Sequence, residues 1–303
     1  MTFLKNIFFI NFLFLFFSSF VYSAQDRVDL DLRFEPKNKN YFYLLKENFN
    51  NKKQIQLGKN IYNVIKSENE IFIDEYYDTK LHSLYKKKAS LRYRIRSKSN
   101  TGPKNLIQFK TQKKNDKLTG MNEFKIELNP DEVLVSYVDL KNYINRRQNQ
   151  NSTLYKQLRS HVNISKLEQI FLVTQNRDRF YLKDDNEDTI FTISFDEVVY
   201  SKELLKTIYL VVEFEINEKI MANSEKINSD TLVKSLNEFA LSLSEKNVLL
   251  NRTYDNKYTV GIKKLGLKPK TEDIIETIIV FFALFCILIL FCVPIFYRKK
   301  QNL

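Results

Sequence analysis

The chain has 303 residues, and its 48 lysines and arginines against 36 aspartates and glutamates give a net charge of +12. Hydrophobic residues make up 44% and charged residues 28%, which is enough apolar material for a packed core and unlike the composition of a disordered chain. Only five glycines are present and no Gly-rich phosphate loop occurs, which excludes Rossmann and Walker-type nucleotide folds, and two cysteines with two histidines are too few for a zinc site or a disulfide framework.

The chain begins with the layout of a secretory signal. Lys5 precedes an apolar run from Ile7 to Val21, and small residues follow up to Ala24. A basic start, an apolar stretch too short to span a bilayer comfortably and a small-residue cleavage site are typical of a signal peptide. We therefore predict that residues 1–24 are a signal peptide that is removed, with an uncleaved anchor as the alternative.

Six segments of the central region alternate apolar and charged residues with a period of two. They are Val28–Arg33, Leu91–Arg96, Leu106–Lys110, Glu123–Leu128, Thr192–Asp196 and Val211–Ile216. Successive side chains of a strand point to opposite faces, so each segment has one apolar and one charged face. A solvated sandwich also alternates, but the like charges of Arg92, Arg94 and Arg96 on one face are unfavourable unless opposite charges or a ligand face them. We therefore predict a closed antiparallel β-barrel of about eight strands whose charged faces line a tunnel.

Helical periodicity separates these strands. The predicted helices are Tyr41–Phe49, Asp131–Arg147, Leu154–Val162 and Ser229–Leu243. Their apolar stripes suit packing against the outer wall of the barrel. The fold class is therefore α+β, and because no repeat or Gly/Pro/Ser-rich linker divides the chain, residues 25–268 are predicted to form one tunnel domain.

The end of the chain predicts a membrane span. Residues 278–297 contain no charge over twenty positions, which is long enough to cross a bilayer as a helix. We predict a juxtamembrane tether at 269–277, a single transmembrane helix at 278–297 and a basic cytosolic tail at 298–303. Lysines on both sides of the span leave the positive-inside rule undecided, so the signal sets the orientation. The main domain is then expected to be non-cytosolic, in a periplasm, outside the cell or in an organelle lumen.

Eight short motifs follow one another in a familiar order. They are Asp74–Thr79, Ala89–Arg94, Gln108–Lys110, Glu123–Glu127, Arg177–Phe180, Thr192–Asp196, Glu213–Glu215 and Asn256–Tyr258. Together they resemble the CYTH-like superfamily, the triphosphate tunnel metalloenzymes. That family includes inorganic triphosphatases, thiamine triphosphatases, class IV adenylate cyclases and the VTC polyphosphate polymerase domain. The resemblance runs from about Val28 to Leu265.

The resemblance implies roles for the matching residues. Phosphate oxygens would be bound by Arg33, Arg92, Arg94, Lys110, Lys125, Arg179 and Lys257. One or two Mg²⁺ or Mn²⁺ ions would be held by Asp29, Asp31, Asp196, Glu213 and Glu215, and the catalytic residues would be Glu213, Glu215 and Lys257. Arg offers forked donors and Lys a point charge to phosphate oxygens, while Mg²⁺ prefers carboxylates plus substrate phosphates. For Arg96 and Arg177, a solvated surface charge remains an equal alternative, and Lys86–Lys88 is interpreted as a solvated loop.

The opening strand departs from the family pattern and keeps more than one function open. It reads Asp29-Leu30-Asp31-Leu32-Arg33 where the family usually has Glu-x-Glu-x-Lys, so the charge signs persist on shorter carboxylates. The expected function is a membrane-tethered, metal-dependent phosphohydrolase acting on triphosphate or polyphosphate. The alternatives are a VTC-like polyphosphate polymerase and a non-catalytic polyphosphate-binding protein. Nucleic acid is not an expected partner, because the arginines alternate with acids.

Overall fold

A computed structural model describes residues 27–98, 104–112, 119–128, 134, 137–147, 149–217, 229–245 and 249–268. The strands are β1 (Arg27–Pro36), β2 (Gln54–Leu57), β3 (Asn60–Lys66), β4 (Glu70–Asp78), β5 (Ser90–Lys98), β6 (Lys104–Gln112), β7 (Thr119–Glu127), β8 (Glu168–Lys183), β9 (Thr189–Lys202), β10 (Leu205–Ile216) and β11 (Leu250–Thr253). The helices are α1 (Lys39–Asn50), α2 (Ser83–Lys86), α3 (Tyr137–Asn145), α4 (Thr153–His161), α5 (Ser229–Glu245) and α6 (Lys257–Lys264), and a 3₁₀ turn (Ile164–Lys166) precedes β8.

The strands belong to one antiparallel sheet. The pairing order is β8, β4, β5, β6, β7, β1, β10 and β9, and β9 also pairs with β8, so each of these eight strands has two hydrogen-bonded neighbours. The β2–β3 hairpin extends β8, and β11 joins β1. The predicted antiparallel sheet with helices is therefore confirmed, and each of the six predicted strands is present.

The apolar faces of the strands form two separate cores beneath the helices. The outer faces of β5, β6 and β7 pack with α3 and α4, where Tyr93, Phe109 and Leu158 are buried. The outer faces of β1, β9 and β10 pack with α1 and α5, where Phe42 and Phe195 are buried. Each such side chain contributes about 1.5–3 kcal/mol on burial. The period-two pattern thus places the apolar residues outside the sheet and leaves its inner face to the charged ones.

Helices α1 and α6 begin at side-chain caps. Asn38 accepts a hydrogen bond from the Tyr41 N–H at the start of α1, and Asn256 accepts one from the Thr259 N–H at the start of α6. Of the predicted helix Asp131–Arg147, the described residues form α3 over Tyr137–Asn145, and the prediction is wrong for Leu134, Arg146 and Arg147, which are not helical. The helix ends there because the Arg146 N–H and the Asn149 side chain both donate to the Tyr143 carbonyl, which turns the chain.

The sequence did not predict α6, which packs over one end of the sheet. Its Tyr258 ring stacks 5.5 Å from the ring of Tyr76 and 5.6 Å from that of Phe171. Gly261 lies so close to Phe171 that an added Cβ would meet its ring at 2.5 Å. The Tyr258 hydroxyl donates to Asp78, which also accepts three backbone N–H groups at the start of α2.

Several predictions fall on other parts of the chain. The signal peptide at 1–24 and the segments 269–277, 278–297 and 298–303 lie outside the described residues. Within the described ranges, no helix is long and apolar enough to cross a membrane. The chain divides at Leu265, and every described helix and strand belongs to the first unit, Met1–Leu265.

Candidate active site

The charged faces of the strands converge on a cavity of about 130 Å³. Ten of the predicted site residues line it, namely Asp31, Arg33, Arg92, Arg94, Lys110, Lys125, Arg179, Glu213, Glu215 and Lys257. Asp196 is fully buried and contacts Lys257 rather than the cavity itself. The side chain of Asp29 lies outside the described residues.

Strand register brings opposite charges together across the inner face. On β1 and β10, Arg33 lies opposite Glu213, and on β8 and β9, Arg177 lies opposite Asp196. Directly opposed residues on one face are about 4.5–5.5 Å apart at Cβ, so such pairs contact without distortion. One register pair is different, because Asp31 and Glu215 place two carboxylates opposite each other at the cavity.

The densest group of charges surrounds Glu213, and we name it the Glu213 cluster. It comprises Asp31, Arg33, Arg177, Asp196, Glu213 and Lys257. Glu213 accepts from Arg33 Nε at 3.1 Å, from Lys257 Nζ at 2.7 Å and from Arg177 Nη2 at 2.6 Å. Asp196 accepts two bonds of 2.6 Å from the Arg177 fork and lies 2.8 Å from Lys257 Nζ.

Electrostatics keep Glu213 and Arg177 ionised despite their burial. Burial alone would raise the pKa of Glu213, but the charges of Lys257, Arg177 and Arg33 hold that pKa well below its usual value. Burial likewise opposes the charge of Arg177, yet Asp196 and Glu213 raise its pKa well above normal. Three carboxylates face three cations, so the cluster is neutral as a whole.

A second group links β4 to β5. Arg94 holds Asp74 with two bonds, Nε–Oδ1 at 2.6 Å and Nη2–Oδ2 at 2.7 Å, and Arg92 Nη1 adds a third at 3.0 Å. Burial opposes ionisation of Asp74, but these arginines lower its pKa below the usual value. Arg92 also donates to Tyr76 at 3.2 Å, so the guanidinium groups are fixed in position.

Lysines and one further ion pair complete the lining. Lys125 and Lys110 lie 3.0 and 3.8 Å from the buried carboxylate of Glu123, and Arg179 lies 3.0 Å from Glu70. Together the cations are Arg33, Arg92, Arg94, Arg96, Lys110, Lys125, Arg177, Arg179 and Lys257, and the carboxylates are Asp31, Glu70, Asp74, Glu123, Asp196, Glu213 and Glu215. Nine against seven gives the described part of the site an excess of two positive charges.

The profile of the CYTH domain family matches residues 43–246. The chain belongs to the CYTH domain family. No curated protein matches the chain at a significant level. The family assignment confirms the resemblance to the CYTH-like superfamily over these residues.

Solved structures similar to this CYTH domain are distant in sequence. A protein from Pyrococcus horikoshii is 15% identical over 78% of this chain and 99% of its own, with a TM-score of 0.47. An adenylyl cyclase candidate from Hippeastrum, described as having a dominant triphosphatase activity, is 12% identical over 78% and 95% of the two chains, with a TM-score of 0.48. An RNA triphosphatase from S. pombe is 9% identical over 76% and 86%, with a TM-score of 0.34.

Two arginines whose role the sequence left open belong to the lining of the CYTH site. Arg96 and Arg177 both line the cavity, and Arg177 is only 6% exposed, so solvated surface charge is the wrong interpretation for it. With Arg94 they surround the Phe72 ring, at 4.4 Å for Arg94, 5.3 Å for Arg96 and 5.8 Å for Arg177. Strand parity carried the missing signal, because Arg177 shares a face with Arg179, and Arg96 shares one with Arg94.

Other contributing residues were missed on β4, β6, β7 and α6. Tyr76, Gln108 and Tyr258 line the cavity, and Asp74 and Glu123 bind its cations. These five lie inside quoted motifs, so a reading of both faces of each motif would have found them. Glu70 and Phe72 lie outside every motif and are set apart only by sharing the face of Asp74.

Enzymes of the triphosphate tunnel type use divalent cations, which carboxylates of the site would have to bind. Across the described residues, no group of three or more His, Cys, Asp or Glu side chains could hold a metal ion. Glu213 and Asp196 are engaged by the protein's own cations. Asp31 and Glu215 are register partners at the cavity, and Mg²⁺ binds through one or two carboxylates plus substrate phosphates, so this pair would hold the ion once Asp31 gives up its bond to Arg33.

Proposed function

We propose that this CYTH domain is a phosphohydrolase that binds triphosphate or polyphosphate inside its sheet and uses that interior as a tunnel. The observation that carries the proposal is the convergence of nine cations on one cavity, with an excess of positive charge among the described residues. Arginine forks and lysine ammonium groups are the donors that phosphate chains require. The fixed guanidinium groups of Arg92 and Arg94 would bind without reorganisation.

Hydrolysis needs positive charge on the equatorial phosphate oxygens and a water aligned with the phosphorus. Arg92, Arg94 and Lys125 supply that charge from β5 and β7. Glu215 lines the cavity opposite Asp31, where its carboxylate would accept a hydrogen bond from a water molecule and orient it. Lys257 acts from the N-terminus of α6, where Asp196 and Glu213 fix its ammonium group.

Metal dependence belongs to this proposal. A triphosphate carries more negative charge than the two-charge excess of the described site, and a divalent cation held by Asp31 and Glu215 would balance the remainder. The other five residues of the Glu213 cluster would then position phosphate and water rather than bind the metal. We therefore expect removal of the metal by a chelator to lower turnover while the melting temperature changes little.

The test is phosphate release by the purified full chain from triphosphate, polyphosphate, ATP and thiamine triphosphate, each with Mg²⁺, Mn²⁺ or EDTA. We expect metal-dependent release from at least one substrate, and a loss of at least tenfold in Glu215→Gln, which keeps the size of the side chain. Glu238→Gln on the exposed face of α5 is the matched control and should retain full activity. Undiminished release by Glu215→Gln would remove the assigned role of Glu215.

A non-catalytic polyphosphate-binding protein is the second candidate, and one observation favours it. Asp196 and Glu213 are occupied by Arg33, Arg177 and Lys257, so they are not available as ligands in this arrangement. Silence with every substrate and metal, together with a triphosphate-induced rise in melting temperature, would support this candidate. Acid-insoluble polymer formed from ATP and Mn²⁺ would instead support the polymerase.

We also propose that residues 278–297 tether the domain to a membrane, with the domain on the non-cytosolic side. The uncharged run of twenty residues and the N-terminal signal pattern support this arrangement. Carbonate extraction should leave the chain in the membrane, and protease added to intact vesicles should reach only one side of the span. Release by carbonate would contradict the tether, and protection of the tail alone from cytosolic protease would contradict the orientation.

A further inference from the structure

One end of the sheet presents leucines to solvent. At the turn between β9 and β10, Leu204 is 101% exposed and Leu205 is 52% exposed. Glu203 and Lys206 flank them directly in the sequence, and Lys202 precedes Glu203. Single exposed leucines are common, but two adjacent ones at a hairpin turn form a small apolar patch with charged residues on either side. Such a tip is suited to a partner that is apolar inside and negatively charged at its surface.

The geometry of the turn does not account for these residues. Leu205 pairs with Lys202, so Glu203 and Leu204 form a two-residue turn, and Glu203 has a φ of 51°. This left-handed region is unfavourable for residues with a Cβ, and two-residue hairpin turns prefer Asn and Gly. The hairpin therefore holds a less favourable backbone while it exposes Leu204.

The turn between β4 and α2 lies at the same end. Asp78 pairs with Glu168 and Ser201 with Leu172, so the ends of β4 and β9 flank the start of β8. Burial lowers the pKa of His82 in this turn, and the charges of Lys202 and Lys86 lower it further against the opposing effects of Asp78 and Glu168. Leu81 is 62% exposed here. We name residues Lys80, Leu81, Lys86, Lys202, Leu204, Leu205 and Lys206 the lysine–leucine end.

A basic cleft opens beside the lysine–leucine end. Its volume is about 990 Å³, and its walls include Lys80, Lys86, Lys87, Lys141 and Lys166. Glu168 is the single carboxylate among its lining residues. Phosphate groups are the natural counter-ions of such a cleft, and several lysines side by side favour a surface of many phosphates over one isolated anion.

The chain leaves the fold at this end. Gly261 of α6 packs against Phe171 and Tyr200, which lie close to the ends of β8 and β9. After Leu265, twelve residues precede the uncharged run at 278–297. An extended chain covers about 3.3–3.6 Å per residue, so this connection reaches on the order of 40 Å. This length is compatible with the membrane tether proposed above, on which this step of the argument rests.

We propose that the lysine–leucine end docks on a bilayer surface that contains anionic phospholipid. Leu204 and Leu205 enter the headgroup region, while Lys202 and Lys206 keep their ammonium groups at the phosphates. The cleft lysines extend the same contact to neighbouring headgroups. This surface lies outside the cavity and is independent of the proposed hydrolysis.

The absence of tryptophan from the chain makes a direct test possible. The full chain would carry either Leu204→Trp or, as the control, Ile61→Trp, since Ile61 is 57% exposed on β3 and β3 pairs with the other end of β8. Both variants would be placed in bilayers of phosphatidylcholine with and without phosphatidylglycerol, containing brominated lipid as a quencher. We expect quenching in Leu204→Trp to be at least threefold stronger than in Ile61→Trp, and to fall when Lys202→Glu and Lys206→Glu are added.

Tryptophan itself favours bilayer interfaces, so the unsubstituted chain needs a second measurement. Amide hydrogen exchange at 202–206 should be slower in bilayers with phosphatidylglycerol than in phosphatidylcholine alone. Equal quenching at both tryptophan positions, or exchange that is indifferent to lipid charge, would overturn the proposal. So would protection that depends on protein concentration rather than on lipid, because it would assign the leucines to a contact between two copies of the chain.

Discussion

Glu213 is the residue on which most of the charged interior depends. Its two carboxylate oxygens accept bonds from cations on β1, β8 and α6. These partners come from parts of the chain that are far apart in sequence, so the ion pairs also join the strands. A substitution at Glu213 therefore tests stability as much as chemistry.

We predict that Glu213→Ala destabilises the fold by about 3–5 kcal/mol, because it leaves Arg33, Arg177 and Lys257 buried beside a missing partner. Urea unfolding followed by circular dichroism measures the change. Glu238→Ala, whose side chain is 57% exposed, should change stability by less than about 0.5 kcal/mol. Equal stability of both variants would show that the cluster is not energetically coupled to the fold.

Glu213 and Asp74 also determine how the stability of the fold changes at acid pH. The pKa values of Glu213 and Asp74 are lower in the fold than their usual values, so the unfolded state binds more protons than the folded state as pH falls. Stability from these groups is therefore complete above about pH 4.5 and is lost below it. We expect the melting temperature to be nearly constant from pH 5 to 7 and to fall steeply towards pH 3. A flat profile down to pH 3 would contradict both ion-pair assignments.

At the scale of elements, α6 connects one end of the sheet to the site. Gly261 permits the approach of the helix to Phe171, and Lys257 at its first turn contacts Glu213. We predict that Gly261→Ala destabilises the protein by about 1–3 kcal/mol through overpacking and weakens triphosphate binding by displacing Lys257.

Gly266→Ala is the comparison for this prediction. A Cβ at Gly266 meets no atom within 4 Å, so only its φ of 66° opposes the substitution, at about 1 kcal/mol. Thermal unfolding and triphosphate titration of both variants measure the difference. Binding that is weakened equally in the two variants would exclude a specific effect through Lys257.

The elements that the sequence predicted are those with strong alternation. On β1, β5 and β10, the charged and apolar faces are unambiguous, and the structure places them as expected. The short strands β2 and β11 and the helix α6 lack a period long enough to distinguish them from loops. The place of Arg177 in the site could not be predicted for another reason. Its partners Asp196 and Glu213 lie 19 and 36 residues away in sequence, and only strand register brings them together.

At the scale of the whole molecule, charge favours anionic ligands. The chain has a net charge of +12, and the described site has an excess of two positive charges. A ligand that binds only the folded state raises stability by about 2.7 kcal/mol at one hundred times its Kd. We therefore predict that triphosphate raises the melting temperature above that in sodium chloride of equal ionic strength.

Two lysine variants locate the origin of that shift. Lys125→Gln removes a cation from the cavity and should reduce the shift in melting temperature. The side chain of Lys234 on α5 is 77% exposed, and Lys234→Gln should leave the shift unchanged. Differential scanning fluorimetry of the two variants gives the comparison. A shift that both variants reduce equally would indicate general charge screening instead of binding in the cavity.

Because the Glu213 cluster is neutral, an anion that binds there must exchange with a carboxylate of the protein. Its arginines and lysine already hold counter-ions supplied by the protein, so an entering anion must take the place of a carboxylate instead of filling an empty charged site. A monovalent anion makes too few contacts to compensate for that exchange. An anion with several adjacent phosphates compensates at several positions at once, so selectivity for chain phosphates over chloride follows from charges that the protein balances internally.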